Sequence, residues 1–167
     1  MKLSLPYFRG RRYLTGIDWV VGSLHEAGKM AIGLGAMSQA VLDVEGHIDE
    51  QALRSALDQI SRRLPIIHGR FARDWLNLAP YWKIPRGAHA ARMPLKVIDL
   101  PPGADDEAAR LLNDHVNTPL ETDATHIRFL LVRIGDRRSL LGLVFDHRFL
   151  DAYGAESFFR LLNETFH

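Results

Sequence analysis

The sequence has no cysteine among its 167 residues. Disulfides, thiolate metal sites and a cysteine nucleophile are excluded at once, and the absence points to a cytoplasmic protein. The chain also lacks the run of roughly 18 apolar residues that a membrane-spanning helix needs. Met1 to Leu14 carries Lys2, Arg9, Arg11 and Arg12, yet no apolar stretch of signal-peptide type follows. A solvated basic tail is expected there. An excess of one charge is missing too. The formal net charge of +1 supplies no field that would draw the chain to nucleic acid or an acidic membrane. There is no internal repeat and no low-complexity tract. What remains is an ordinary globular balance, 47% hydrophobic and 25% charged residues, in a chain long enough for one domain with a real core.

Residues 1–37 show little periodicity. Gly28, Gly33 and Gly35 punctuate a small-residue stretch whose spacing is not that of a phosphate-binding loop. An N-terminal extension or irregular segment over 1–37, packed on a folded unit over 38–167, is therefore expected. From Ser38 the pattern sharpens. Ala40, Leu42 and Val44 alternate with polar neighbours, as in a strand with one buried face. Asp49 is placed to cap a helix in which Leu53, Leu57, Ile60 and Leu64 recur at helical spacing, and Pro65 stops it. Ile66 to Phe71 reads as a strand. Trp75, Tyr81 and Trp82 fall near Pro80 and Pro85, in a hairpin or irregular loop packed on the core or its rim. Leu95 to Leu100 reads as a strand and Asp105 to Val116 as a helix. Ile127 to Ile134 and Leu140 to Phe145 are apolar runs joined by Gly135-Asp136-Arg137-Arg138, a link too short for a parallel crossover. They are expected to be antiparallel neighbours buried on both faces. A last helix is expected from about Gly154 to Phe166. The order predicts an α/β two-layer sandwich, a mixed and largely antiparallel sheet covered by helices.

One segment concentrates the chemistry: Phe145-Asp146-His147-Arg148-Phe149-Leu150-Asp151-Ala152-Tyr153-Gly154. A buried strand runs straight into Asp-His-Arg, so the imidazole of His147 is held by rigid structure yet opens toward a surface or cleft. Histidine titrates near neutral pH and can take a proton from an attacking hydroxyl or amine. On spacing alone, a structural hydrogen-bonded pair of His147 and Asp151 is the commoner meaning of such a pattern. No metal site is indicated, since these two residues offer two ligands and nothing nearby completes a set. A serine-hydrolase reading fails for want of a GxSxG elbow. Lys83, Arg86, Arg92 and Lys96, with His89, form a stretch without acids. It suits the phosphates of an acyl donor or an acidic carrier protein, and it suits a solvated loop as well.

The segment resembles the His-His-x-x-x-Asp-Gly signature of chloramphenicol acetyltransferases, nonribosomal peptide condensation domains and wax ester synthases. Asp146 to Asp151 is similar to the Asp-His-Arg-x-x-Asp form of dihydrolipoamide acyltransferases. Upstream, Val44-Glu45-Gly46-His47-Ile48-Asp49, then Leu53, Ala56, Leu57 and Arg63, then Pro65 to Phe71, resemble the first strand and helix of condensation-type proteins. Asn117-Thr118-Pro119-Leu120-Glu121 and His126-Ile127-Arg128-Phe129 resemble the stretch before their motif strand. Residues 38–166 match in order and spacing. The resemblance implies a chloramphenicol acetyltransferase-like lobe. It makes His147 the catalytic base and gives Asp146, Arg148, Asp151 and Gly154 structural roles in the motif. Two departures stand out. Ala152 replaces the motif glycine, with Gly154 two positions on. His68 stands where condensation-type proteins often carry an arginine that partners the motif aspartate, which makes His68 a candidate partner of Asp151; a plain core or surface histidine is the alternative.

The implied activity is acyl transfer from a thioester of coenzyme A or of carrier-protein pantetheine to an alcohol, amine or thiol. The thioester is a co-substrate, so no metal or tightly bound cofactor is expected. The acceptor is a small molecule or is itself carrier-bound. One lobe supplies one wall of a channel. A second lobe is expected to complete it, or a homo-oligomer, which in the single-lobe families is a trimer. The rival expectation is a non-catalytic interaction module with a degenerate motif, binding a carrier or partner protein.

Overall fold

The apolar runs expected to be central strands do occupy the centre. In the computed structural model, which describes residues 10–33, 35–76, 79–85, 92–120 and 125–166, the chain begins with β1 (Arg11–Tyr13), α1 (Gly16–Ile32), β2 (Met37–Glu45) and α2 (Glu50–Arg63). A 3-10 turn (Pro65–His68) leads to β3 (Arg70–Arg73), β4 (Pro80–Lys83), β5 (Leu95–Leu100) and α3 (Asp105–Val116). The chain closes with β6 (Ile127–Ile134), β7 (Arg138–Asp146) and α4 (Ala152–Phe166). Lys2, Arg9, Arg86, His89 and Glu121 lie outside the described residues.

The main sheet has the order β2-β7-β6-β5. β7 is antiparallel to both its neighbours, and β5 is parallel to β6. The β6–β7 link turns tightly through Gly135, whose φ of 55° is left-handed. The parallel pair is joined by α3, the crossover that such a pair requires. Strand periodicity of two decides where the helices pack. Ile127, Phe129 and Leu131 of β6 meet Leu53, Leu57 and Ile60 of α2 and Phe158 and Leu162 of α4. Leu130, Val132 and Ile134, on the other side, meet Ala108 and Leu112 of α3. Both faces of the central strands are therefore buried, and that is why their sequences are apolar almost without interruption.

Local chemistry explains the helix ends. The Asp49 carboxylate accepts the Ala52 amide at 2.7 Å and caps α2. After Pro65 the chain departs from expectation, because Pro65–His68 is a 3-10 turn and the strand begins only at Arg70. Proline has no N–H to give a strand ladder, and its fixed φ suits the first position of a helical turn.

The largest difference lies at residues 16–32, expected to be irregular, which form α1. Asp18 accepts both the amide and the hydroxyl of Thr15 and opens this helix; Gly33, with a φ of 75°, ends it. Gly22 and Gly28 inside the helix weaken its propensity and blur its periodicity. No helix among the described residues is long and apolar enough to cross a membrane.

A small second sheet, β1-β4-β3, lies beside this frame. Tyr81 and Trp82 are buried in it, whereas Trp75 sits at the hairpin turn and is 82% exposed. Packing of Trp75 on the core or rim is thus corrected: the turn carries it away from the buried face.

Candidate active site

β7 ends at Asp146, opposite Met37 of β2. The antiparallel ladder goes one step further, for the His147 amide donates to the Ala36 carbonyl at 2.8 Å. The chain then turns: the amides of Phe149 and Leu150 both donate to the Asp146 carbonyl, at 2.8 and 3.1 Å. This turn brings the Leu150 carbonyl to 2.8 Å from Nδ1 of His147. A carbonyl only accepts, so Nδ1 carries the proton and Nε2 is the basic nitrogen of the neutral ring. The imidazole is exposed.

Asp146 is the reverse case, 1% exposed with three basic side chains around it. Arg148 folds back and donates from Nε at 3.0 Å and Nη2 at 2.6 Å to Oδ2, and its own amide donates to Oδ1 at 2.9 Å. Nδ1 of His25, on α1, lies 3.4 Å from Oδ1, and Nδ1 of His126 lies 3.8 Å from Oδ2. Burial by itself would raise the Asp146 pKa. The hydrogen bonds of His126 and Arg148 and the Arg148 charge outweigh it and hold the carboxyl well below its ordinary 3.8. Arg148 is therefore part of a buried ion pair and not a surface bridge, and its guanidinium also lies over the Phe71 ring. His126 is fixed from behind. Its Nε2 donates to the Gly69 carbonyl, and its ring stacks on Phe149 and meets the edge of Trp82.

The remaining motif residues have local tasks. The exposed Asp151 accepts the Gly154 amide at 2.6 Å and so caps α4. His68 instead meets the Ser61 hydroxyl at 2.7 Å. The candidate Asp151–His68 pair is not formed. Unpaired amides at the start of α4 claim the carboxylate. Ser61 claims the imidazole, whose pKa is lowered by burial and by His126. Ala152 is the first residue of α4; a helical backbone at this position accepts alanine as readily as glycine. Close approach is needed at Gly154, where a Cβ would lie 3.0 Å from Leu150 and 3.1 Å from Asp151.

Two cavities open beside the motif. One, of about 260 Å³, is lined by His25, Lys29, Thr125, His126, Asp146 and Arg148 among others. The other, of about 420 Å³, runs along α1 past Trp19, Ser23 and Met30 to Phe71 and Arg148. His147 lines neither. Among the described residues, no group of three His, Asp or Glu is placed to hold a metal ion. The basic residues of the 82–96 stretch are dispersed, with Lys83 on β4, Lys96 on β5 and Arg92 beside Asp58 of α2. His25 and His126 are the site residues that sequence reasoning missed. A histidine just before an apolar strand was a signal for His126. His25 had none until residues 16–32 are known to be helical.

Solved structures similar to this chain share this frame and are larger. The first condensation domain of the CDA synthetase matches at 25% identity with a TM-score of 0.74, over 93% of this chain and 39% of that one. The SgcC5 protein from Streptomyces globisporus matches at 25% identity and a TM-score of 0.64, over 78% and 30%. A double mutant of the starter condensation domain of the rhizomide synthetase RzmA, in complex with C8-CoA, matches at 16% identity and a TM-score of 0.70, over 93% and 35%. No protein-family model matches the sequence, and no curated protein matches it. The chain has the fold of a condensation-domain lobe, of the chloramphenicol acetyltransferase-like superfamily. It spans about two fifths of the length of the CDA synthetase condensation domain, 39%.

Proposed function

We propose that the chain is the motif-bearing lobe of a condensation-type acyltransferase in which His147 is the general base. The observation that supports it most is the Nδ1–H bond to Leu150, which leaves Nε2 basic on an exposed ring at the end of a central strand. An alcohol, amine or thiol gives its proton to Nε2 as its heteroatom attacks the thioester carbonyl carbon. The tetrahedral intermediate collapses with cleavage of the C–S bond. The departing thiolate takes the proton back from the imidazolium, leaving the base neutral for the next turn. Asp146 and Arg148 hold the loop and stay out of the proton path.

The donor is a thioester of coenzyme A or of carrier-bound pantetheine. The C8-CoA complex of the similar starter domain supports this class of donor. The channel needs a second wall, and a second lobe supplies it. Exposed apolar side chains, Val20, Leu24 and Met30 on α1 and Tyr153 beside the motif, support a covered surface. A threefold homo-oligomer is the other way to complete the site. Light scattering at several concentrations, paired with a thiol-release assay, tests the claim. Activity is expected only from a larger assembly, and a monodisperse active monomer contradicts it. The absence of His147 from the cavities favours a second reading, a non-catalytic module for a carrier or partner protein. Saturable carrier binding with no thiol release from any assembly supports that reading.

A further inference from the structure

The bond from the His147 amide leads back to α1. Its acceptor is the Ala36 carbonyl, and the Ala36 amide donates to Nδ1 of His25 at 3.2 Å. One residue, Ala36, therefore ties a helical imidazole to the backbone of the candidate base, through its amide on one side and its carbonyl on the other. The His25 ring is 3% exposed and lies close against Gly35. A Cβ on Gly35 would come within 2.1–2.6 Å of three ring atoms, so a glycine is the residue that lets the ring approach. Because Nδ1 accepts a hydrogen bond from the Ala36 amide, the ring proton of neutral His25 sits on Nε2, which is buried with no hydrogen-bond partner among the described residues. Asp146 lies 3.4 Å from the same Nδ1 and is itself gripped by Arg148.

We propose that His25 is a positioning residue for His147, acting through the Ala36 backbone. This rests on the reading of His147 as the base. His25 holds the Gly35–Ala36 peptide that precedes β2, the next peptide accepts from the His147 amide, and the turn then holds the ring against Leu150. Loss of the Nδ1 acceptor frees the Ala36 backbone to rotate, and the base loses its single tautomer and orientation. Small displacements of this kind cost rate without costing binding.

The test uses ¹⁵N NMR of the histidine rings and backbone amides in the 167-residue chain. Two variants separate acceptor from bulk. His25→Leu keeps the size and removes the acceptor, while His25→Asn keeps an acceptor oxygen close to the position of Nδ1. In His25→Leu, the His147 ring is expected to lose its Nδ1–H tautomer. Its amide should exchange about tenfold faster, the size of one lost hydrogen bond. His25→Asn should restore both. In an active assembly kcat falls by about 10–10² with KM unchanged, again rescued by Asn. Native His147 signals in folded His25→Leu overturn the proposal, and so does equal damage in both variants. Should His25→Leu fail to fold, the unmutated protein decides. His25 must appear with its proton on Nε2, and a proton on Nδ1 overturns the proposal. These signals do not depend on turnover, so an inactive chain leaves this inference standing or falling by itself.

Discussion

Arg148 reaches back over two residues and grips the carboxylate of Asp146, which is buried. Asp146 stands where the commoner signature has its first histidine, His147 keeps the second, and Arg148 at the next position completes the ion pair. A buried pair broken on one side leaves a charge unmet, which costs about 3–5 kcal/mol. Asp146→Ala is therefore expected to destabilise the chain by about that much, as read from urea midpoints. Replacement of both residues by apolar ones of similar volume should cost less than either single change.

The same carboxyl sets an acid limit. Its folded pKa lies below its ordinary 3.8. The stabilisation is therefore complete above the unfolded value and is lost as pH falls below it toward the folded one. Urea stability should drop below about pH 4, and Asp146→Asn should flatten that drop. An unchanged slope in the variant contradicts the assignment.

A second acid-sensitive group lies far from the motif. His115, on α3, has its pKa pushed down to about 4 by burial, by Arg128 and by Lys96. Folding with a depressed histidine favours the neutral ring. Stability from this source is full above the unfolded value of about 6.5 and declines as pH falls from there to about 4. His115→Phe should remove the decline within this window, while the one below pH 4 persists. Arg128 explains the placement: its guanidinium donates to the carbonyls of His115, Thr118 and Pro119 and pins the end of α3.

Gly35→Ala should cost about 1–3 kcal/mol, the usual penalty for overpacking, because the new methyl collides with the His25 ring. In a His25→Ala background the same change should cost much less. A double-mutant cycle measures the difference, and additive costs contradict the contact.

Much of this was legible in the chain, and for physical reasons. Asp49, the α2 periodicity and the two apolar runs at 127–134 and 140–145 gave local signals that agree with the tertiary fold. The motif histidine was placed at a strand end because an apolar run stops there. α1 stayed hidden, since its glycines dilute both propensity and periodicity. His25 and the partner of Asp151 stayed hidden with it, because contacts such as His25–Ala36 and His68–Ser61 depend on how elements pack and leave no spacing to read. Proline at 65 is ambiguous between a strand start and a 3-10 turn, and the chain takes the turn.

The central claim is that His147 takes the proton of the acceptor. Its most direct measurement is turnover of a thioester by the complete, second-wall-bearing assembly, with and without His147→Ala. The account predicts a fall in kcat of about 10²–10⁴, the usual contribution of a general base, with thioester binding little changed. Equal turnover by the variant and the unmutated protein contradicts it.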